Sequence, residues 1–279
     1  MFLVPIVVFA FAPASMKGVV RPVNYNPQSV AIVTGVSSAV GFAVANMYGK
    51  MGYDLLISTD TCESVLCYIV NRLQTAHPKS RVVCVEGDIS DVITRAAIFE
   101  TYSRRFAPNP LRVMVHNCAE YTQNVPECKN NEDKYRAIFN EAYQDLCVRT
   151  VPLMDTIGGG SIVGISSPKC TPYSFPQTYS PLDATQDMED GMHRVLQRAA
   201  ASGTNINVVV PGLTRVESWE NAISKRRGPS SVYINMHLPN APMGPIMPNE
   251  IAKVVAFLGS KSGRCITGCT ISADNGLHA

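Results

Sequence analysis

The sequence predicts an α/β fold in which a doubly wound parallel β-sheet is covered by helices on both faces. Short runs rich in β-branched residues alternate with longer stretches of helical spacing from Ser29 onward. Apolar strands that are flanked by helices indicate a parallel sheet that is buried on both faces. The chain has 279 residues, of which 46% are hydrophobic and 16% charged. That is enough to bury a large core, and we expect a single domain over residues 29–279.

The elements follow from the spacing of apolar residues and turn residues. The predicted strands lie at residues 30–35, 54–59, 81–88, 111–117, 160–167, 206–212 and 269–276. The predicted helices lie at residues 40–51, 62–77, 91–106, 130–154, 181–202 and 248–259. Residues 213–247 break this rhythm, since they hold the only tryptophan, Trp219, a basic cluster and a proline-rich run. A substrate loop or lid is expected there, and a surface segment that touches a partner is the alternative.

Residues 1–28 are predicted to be an apolar arm or a targeting segment. The first fourteen residues resemble a signal-peptide core, but they lack basic residues at the start and are too short to span a bilayer. Acidic residues are absent before Asp54, whereas Lys17 and Arg21 are present, which is compatible with mitochondrial targeting. Secretion is the less favoured alternative. No transmembrane segment is expected.

The charge and the cysteines bound the function further. The chain carries 24 Lys and Arg against 22 Asp and Glu, a net charge of +2, and no basic run is interleaved with aromatics. Nucleic acid is therefore not an expected partner. Nine cysteines form no Cys-x-x-Cys pair and no metal-ligand cluster, so no metal is expected. Their odd number favours buried free thiols in a reducing intracellular compartment.

A glycine-rich turn follows the first strand. It reads Thr-Gly-Val-Ser-Ser-Ala-Val-Gly from Thr34 to Gly41. Small residues there let the chain turn tightly, and they let backbone N–H groups at the start of a helix approach a pyrophosphate, which the helix dipole also favours. A Rossmann-type dinucleotide site is thus predicted at this turn.

From about Val30 to the C-terminus, the motifs resemble those of the short-chain dehydrogenase/reductase family. The motif after the fourth strand, Asn-Asn-Ala-Gly in the family, reads His-Asn-Cys-Ala at residues 116–119. We interpret His116 as a satisfied histidine near the core. The resemblance implies dinucleotide contacts at Gly35, Ser37, Ser38, Val40, Gly41, Asp60, Asp88, Ile89, Asn117, Pro211, Gly212 and Thr214. No Arg or Lys lies in the glycine-rich turn or at the end of the second strand, so NAD is favoured over NADP if a dinucleotide binds.

The resemblance also implies a catalytic set. A tyrosine that exchanges the hydroxyl proton corresponds to Tyr179, a serine that holds the substrate carbonyl to Ser167 or Ser166, and an asparagine that holds a relay water to Asn140. The family's lysine four residues after the tyrosine, which lowers the tyrosine's pKa, is here Asp183. A carboxylate opposes ionisation of the phenol.

Asp183 also has a local interpretation. Ser180 suits a helix N-cap, Pro181 suits the first helical position, and Asp183 suits the first turn. The sequence therefore favours a catalytically impaired or inactive family member that serves as a structural or regulatory subunit, with or without a bound dinucleotide. The alternative is an NAD(P)-dependent oxidoreductase of a carbonyl or alcohol that uses Tyr179 and Ser167. A homo-oligomer or a protein partner is expected in either case, since the apolar stripe on the helix at 181–202 faces either the sheet or a second subunit.

Overall fold

The computed structural model describes residues 28–118, 132–166, 181–212, 214–215 and 243–276. These residues form one seven-stranded parallel sheet of order β3-β2-β1-β4-β5-β6-β7. All seven predicted strands are present, with ends that differ from the prediction by no more than three residues. They are β1 (Val30–Thr34), β2 (Asp54–Thr59), β3 (Val82–Glu86), β4 (Leu111–Asn117), β5 (Ser161–Ile165), β6 (Asn205–Pro211) and β7 (Thr270–Ala273).

The helices match the predicted positions with one difference. They are α1 (Ala39–Lys50), α2 (Glu63–Ala76), α3 (Val92–Arg105), α4 (Glu132–Arg136), α5 (Tyr143–Asp155), α6 (Pro181–Ala201) and α7 (Pro248–Leu258). A short 3-10 helix follows at Lys261–Gly263. The helix predicted at residues 130–154 is not continuous, because a π-helical turn at Ala137–Ala142 separates α4 from α5. Such turns are frequent at functional sites.

Successive residues of the strands point to opposite faces and build two cores. Val30 and Ile32 of β1 lie in the core that holds buried residues of α3, α5 and α6. Ala31 and Val33 lie in the core that holds buried residues of α1, α2 and α7. All four side chains are fully buried, which explains why β1 is apolar throughout rather than alternating.

The apolar stripe of α6 packs against the sheet. Its buried members are Met188, Met192, Val195 and Ala199, and Leu196 is partly buried against the same core. The Met188 side chain lies over Gly164 of β5, where a Cβ would overlap Met188 Cε. The structure thus confirms the sheet as the surface that this stripe covers.

The prediction that the cysteines are buried is wrong for several of them. Cys118 and Cys147 are buried, but Cys62, Cys67, Cys265 and Cys269 are exposed. All the cysteines in the described residues are free thiols. The exposed ones lie at the start of α2, within α2 and next to the last strand, and the odd number of cysteines that suggested burial carries no information about position. Among the helices of the described ranges, none is both long and apolar enough to cross a membrane.

The strand order reverses direction between β1 and β4. The chain proceeds outward from β1 to β2 and β3, then returns to the centre and proceeds to the other side through β4 and β5. The connections after β1 and β4 leave the sheet on opposite faces, so a crevice forms at their carboxyl ends. Gly35 and Asn117 lie at this point.

Candidate functional site

The turn after β1 is held by the side chain of Asn117 at the end of β4. Asn117 Nδ2 donates to the carbonyl oxygen of Gly35 at 2.9 Å and to Ser38 Oγ at 2.8 Å. Ser38 Oγ donates to the same Gly35 oxygen at 3.0 Å and accepts from the Gly41 N–H at 2.8 Å, which makes Ser38 the N-cap of α1. The amino end of α1 is thereby fixed at the crevice.

Two glycines are required by the close packing of this turn. Gly35 has φ +64°, and a Cβ there would overlap the Asn117 carbonyl oxygen. A Cβ at Gly41 would overlap the Gly35 carbonyl oxygen and lie 2.9 Å from Asn117 Nδ2. Backbone N–H groups at the start of a helix, close to a surface without side chains, suit a pyrophosphate. The residues present therefore fit a dinucleotide at this turn.

Three other residues that the sequence assigned to the dinucleotide lie differently in the turn. Ser38 and Val40 are buried, Ser38 within the hydrogen bonds of the turn and Val40 in the core on the α1 side of the sheet. Ser37 is half-buried and its Oγ accepts a hydrogen bond of 2.8 Å from Thr59 Oγ1 at the end of β2. This bond joins the glycine-rich turn to the strand end that precedes Asp60.

A charged cluster lies at the carboxyl ends of β2 and β3. Asp88 accepts from the N–H and hydroxyl of Ser90 at 2.9 and 2.7 Å, and its other oxygen lies 2.9 Å from Lys134 Nζ in α4. Burial raises the pKa of Asp88, but the bonds from Lys134 and Ser90 outweigh this and lower it below the usual value. Partial desolvation raises the pKa of Asp60; Asp88 adds to that shift, and Lys134 opposes it. Ile89 beside them is buried.

The end of β6 closes the site on the other side. The Gly212 N–H donates to the Ala273 carbonyl at 2.8 Å, and a Cβ at Gly212 would lie 2.5 Å from Asp274 Cα. Thr214 Oγ1 donates to the Gly212 carbonyl at 3.0 Å. Pro211 ends the strand and is buried. Thr214 is the residue that the sequence offered for the nicotinamide amide, and here its hydroxyl stabilises the turn.

His116 connects the crevice to the π-helical turn. Its Nε2 lies 3.0 Å from the Ile138 carbonyl oxygen, and its Nδ1 lies 2.9 Å from Thr34 Oγ1. Because a carbonyl can only accept, Nε2 carries the proton and Nδ1 accepts from the threonine hydroxyl. Thr34 Oγ1 in turn accepts from the Asn117 N–H at 3.2 Å. Cys118 Sγ lies 2.9 Å from the same Nε2.

The environment of His116 keeps the ring neutral. The residue is fully buried and stacks on Tyr143 with ring centroids 5.9 Å apart. Burial lowers the pKa of His116 to about 4, the Arg95 charge lowers it too, and the bond to Ile138 opposes the shift. The interpretation of His116 as a satisfied core histidine is therefore confirmed.

The predicted catalytic residues are described only in part. Asn140 lies within the π-helical turn and is half-buried. Ser166 is buried, and its hydroxyl lies 3.1 Å from Thr185 Oγ1 of α6. Asp183 is exposed in the first turn of α6. Tyr179 and Ser167, and the predicted cap Ser180, lie outside the described residues.

Most of the chain matches a known protein family. Residues 35–278 match the family model described as enoyl-(acyl carrier protein) reductase. The chain belongs to the short-chain dehydrogenase/reductase family. It is 29% identical over 253 residues to an uncharacterized oxidoreductase from Methylorubrum extorquens, covering 89% of this chain and 97% of the relative. Acetoacetyl-CoA reductase from Shinella zoogloeoides is also 29% identical over 253 residues, with 88% and 97% coverage.

A solved structure supports the fold of this family member. L-sorbose reductase from Gluconobacter frateurii, solved with NADPH and L-sorbose, superposes with a TM-score of 0.75 at 21% identity. The match covers 90% of this chain and 97% of the reductase. Reductases of this family bind NAD(P)H, and this one was solved with NADPH.

Some residues of the site escaped the sequence prediction. Thr34, Thr185 and Lys134 hold or neutralise predicted site residues, but the sequence assigned no role in the site to any of them. Thr34 precedes the glycine directly, and its position at the end of a buried strand was a usable signal, since a buried hydroxyl needs partners. Lys134 gave no signal, because its partner Asp88 is distant in the sequence.

The first prediction concerns the glycine-rich turn. Gly41→Ala places a methyl group against the Gly35 carbonyl and should displace the Asn117 amide. We expect the affinity for NADH or NADPH to fall roughly tenfold or more, which corresponds to a loss of at least about 1.4 kcal/mol of binding free energy. Nicotinamide fluorescence titration measures it. Gly191→Ala in α6 is the control, since its nearest neighbour is 3.5 Å away, and that variant should bind like the wild type.

The second prediction concerns His116. Its folded pKa of about 4 lies below the value near 6.5 of an unfolded histidine, so the unfolded state binds the proton first as the pH falls. The wild type should lose about 2 kcal/mol of stability between pH 7 and pH 5 through this residue. Urea unfolding of His116→Asn should show a pH dependence smaller by that amount. His193→Asn, at an exposed position, should leave the pH dependence of the unfolding free energy as in the wild type. An unchanged pH dependence in His116→Asn would contradict the low pKa of His116.

Proposed function

We propose that the protein is an NAD(P)H-dependent oxidoreductase that reduces a carbonyl compound. The observation that carries this is the glycine-rich turn, where Asn117, Ser38 and Gly35 hold the start of α1 against the crevice. A dinucleotide site needs such a turn, because the pyrophosphate is bound by backbone N–H groups at the start of a helix. Relatives such as acetoacetyl-CoA reductase support reduction as the reaction class. The comparisons favour this alternative over an inactive subunit.

The dinucleotide supplies a hydride when it is bound, and the protein has to supply a proton and hold the substrate. Tyr179 is the proposed proton donor to the carbonyl oxygen. For the residue that holds this oxygen, Ser167 is a better candidate than Ser166, since the Ser166 hydroxyl is buried and pairs with Thr185. Asn140, in the π-helical turn, is proposed to hold a water that returns the proton to the tyrosine.

Asp183 is compatible with reduction in one respect. A carboxylate four residues after the tyrosine favours the protonated phenol, and proton donation to a carbonyl starts from that state. The carboxylate destabilises the transition state and slows alcohol oxidation, because both need negative charge on the tyrosine oxygen. We therefore propose slow reduction and still slower oxidation.

A structural or regulatory subunit remains the second candidate. It is favoured by Asp183, which stands at the activating position and suits the first turn of α6. The two candidates differ in what they bind and turn over. An enzyme binds NADH or NADPH and oxidises it in the presence of a carbonyl, whereas a subunit without a dinucleotide binds neither.

The third prediction tests these candidates. The purified chain is titrated with NADH and NADPH, and nicotinamide oxidation is followed with a panel that includes acetoacetyl-CoA and L-sorbose. With an accepted carbonyl, Tyr179→Phe should lower kcat roughly 100-fold or more, since it removes the proton donor. Asp183→Lys should raise kcat roughly tenfold, because it replaces a charge that opposes the tyrosinate with one that favours it.

Asp190→Lys is the matched control, because it makes the same charge change at an exposed position of the same helix. It should leave kcat unchanged. Failure of both dinucleotides to bind would exclude the oxidoreductase and leave the structural subunit. Binding without turnover, unaltered by Asp183→Lys, would indicate a protein that senses the dinucleotide.

The fourth prediction concerns the choice of dinucleotide. We propose NADH, because Asp60 directly follows β2, where a 2′-phosphate would be close to its carboxylate. The wild type should bind NADH roughly tenfold more tightly than NADPH, and Asp60→Ser should narrow that ratio. Asp155→Ser, an exposed change at the end of α5, should not alter it. Tighter binding of NADPH by the wild type would overturn the proposal.

A further inference from the structure

A cavity lies at the amino ends of the strands, on the side of the sheet opposite the crevice. Its volume is about 460 Å³, and it is lined by residues at the amino ends of the strands. Tyr53 precedes β2, Arg112 is the second residue of β4, and Asn205 begins β6. The dinucleotide turn lies after the carboxyl end of β1, so the two sites are separated by the length of the strands. Nothing in the proposed reaction uses this cavity.

The charge around this cavity has one sign. Three cationic side chains line it, Arg112, Lys261 and Arg264, and the lining contains no Asp or Glu. Like charges gathered at one cavity repel each other, and the repulsion is relieved when an anion binds between them. Lys261 begins the short 3-10 helix after α7, Arg264 directly follows that helix, and both residues are exposed.

The cations differ in how they are held. Arg112 Nη1 donates to the carbonyl oxygens of Ile157 and Gly159 at 3.0 and 2.8 Å, which fixes the guanidinium beside the glycines that precede β5. Neither its Nε nor its Nη2 makes a hydrogen bond within the described part of the chain. The same holds for Lys261 Nζ and the Arg264 guanidinium, whose Nη2 lies 3.5 Å from the Cβ position of Gly203.

Two further features favour a compact ligand. Tyr53 lines the cavity and is near enough to Arg112 for the guanidinium to lower the pKa that burial raises. Gly159 and Gly203 approach so closely that a Cβ on Gly159 would overlap the Gly203 carbonyl, so the wall here consists of backbone without side chains.

One force opposes an anion. The carboxyl ends of α5, α6 and α7 directly precede lining residues, and helix carboxyl ends carry partial negative charge. Arg112 compensates part of it through its two carbonyl bonds. Three full positive charges exceed three partial negative ones of about one half each, so the cavity retains a net positive field.

We propose that this cavity binds a small phosphate-bearing anion between Arg112, Lys261 and Arg264. Guanidinium groups match the geometry of phosphate oxygens through paired N–H donors, and the ammonium adds a point charge. Phosphate also carries more charge in this volume than a single carboxylate. The proposal does not depend on the oxidoreductase activity.

The fifth prediction tests this site with inorganic pyrophosphate by isothermal titration at low ionic strength, where exposed charges act over the longest range. The full-length wild type should bind it, and Lys261→Gln with Arg264→Gln should weaken binding roughly tenfold or more. Neither side chain bonds to the fold within the described residues, so the double variant should stay folded. Lys79→Gln with Lys253→Gln removes the same charge at exposed positions and should bind like the wild type.

The glycine-rich turn is the competing anion site, and Gly41→Ala separates the two. Pyrophosphate binding that survives Gly41→Ala and is lost in Lys261→Gln with Arg264→Gln supports the cavity. Loss in Gly41→Ala alone places the anion at the dinucleotide turn and overturns the proposal. Absence of binding by the wild type overturns it as well, and tighter binding of citrate than of pyrophosphate overturns the assignment to phosphate.

Discussion

The hydrogen bonds of Asn117 are the interaction on which the crevice depends. The side-chain amide reaches both the Gly35 carbonyl and the Ser38 hydroxyl, and the backbone N–H reaches Thr34. Strand β4 is thus joined to the turn after β1 where the chain connections diverge. The same bonds explain why positions 35 and 41 are glycine, since a side chain at either would displace Asn117. A loosened amide would cost the helix its N-cap as well as the shape of the turn.

His116 transmits this arrangement to the opposite wall of the crevice. Its Nε2 donates to the Ile138 carbonyl and its Nδ1 accepts from the Thr34 hydroxyl at the end of β1. The ring thus fixes these two groups relative to each other. Ile138 belongs to the π-helical turn that also contains Asn140. A charged ring would donate from both nitrogens. The Thr34 hydroxyl, which already accepts from the Asn117 N–H, would then also accept from His116 Nδ1 and lose the acceptor for its own proton. The π-helical turn that contains Asn140 is thus bonded to a neutral and fully buried histidine.

Local patterns were sufficient for the elements of the sheet. The strands stand out because β-branched runs such as Val30–Thr34 are bounded by turn residues, and α6 stands out through the spacing of its buried methionines. The π-helical turn was not predictable. Ile138 in this turn contacts His116, which is 22 residues away, whereas helical periodicity depends only on residues in neighbouring turns. The Lys134–Asp88 pair was not predicted for the same reason, since a single lysine gives no sequence pattern that points to a distant carboxylate.

The two edges of the sheet present different electrostatic problems. At the carboxyl edge, the start of α1 offers backbone N–H groups, and Asp60 and Asp88 add negative charge that Lys134 offsets in part. At the amino ends of the strands, helix carboxyl ends supply partial negative charge. Arg112 offsets part of it by donating hydrogen bonds to two carbonyl oxygens after α5. Helix capping by one arginine accounts for Arg112 alone. Lys261 and Arg264 make no such bonds within the described residues, so stabilising the fold does not explain their presence beside it, whereas an anion held between the three side chains does.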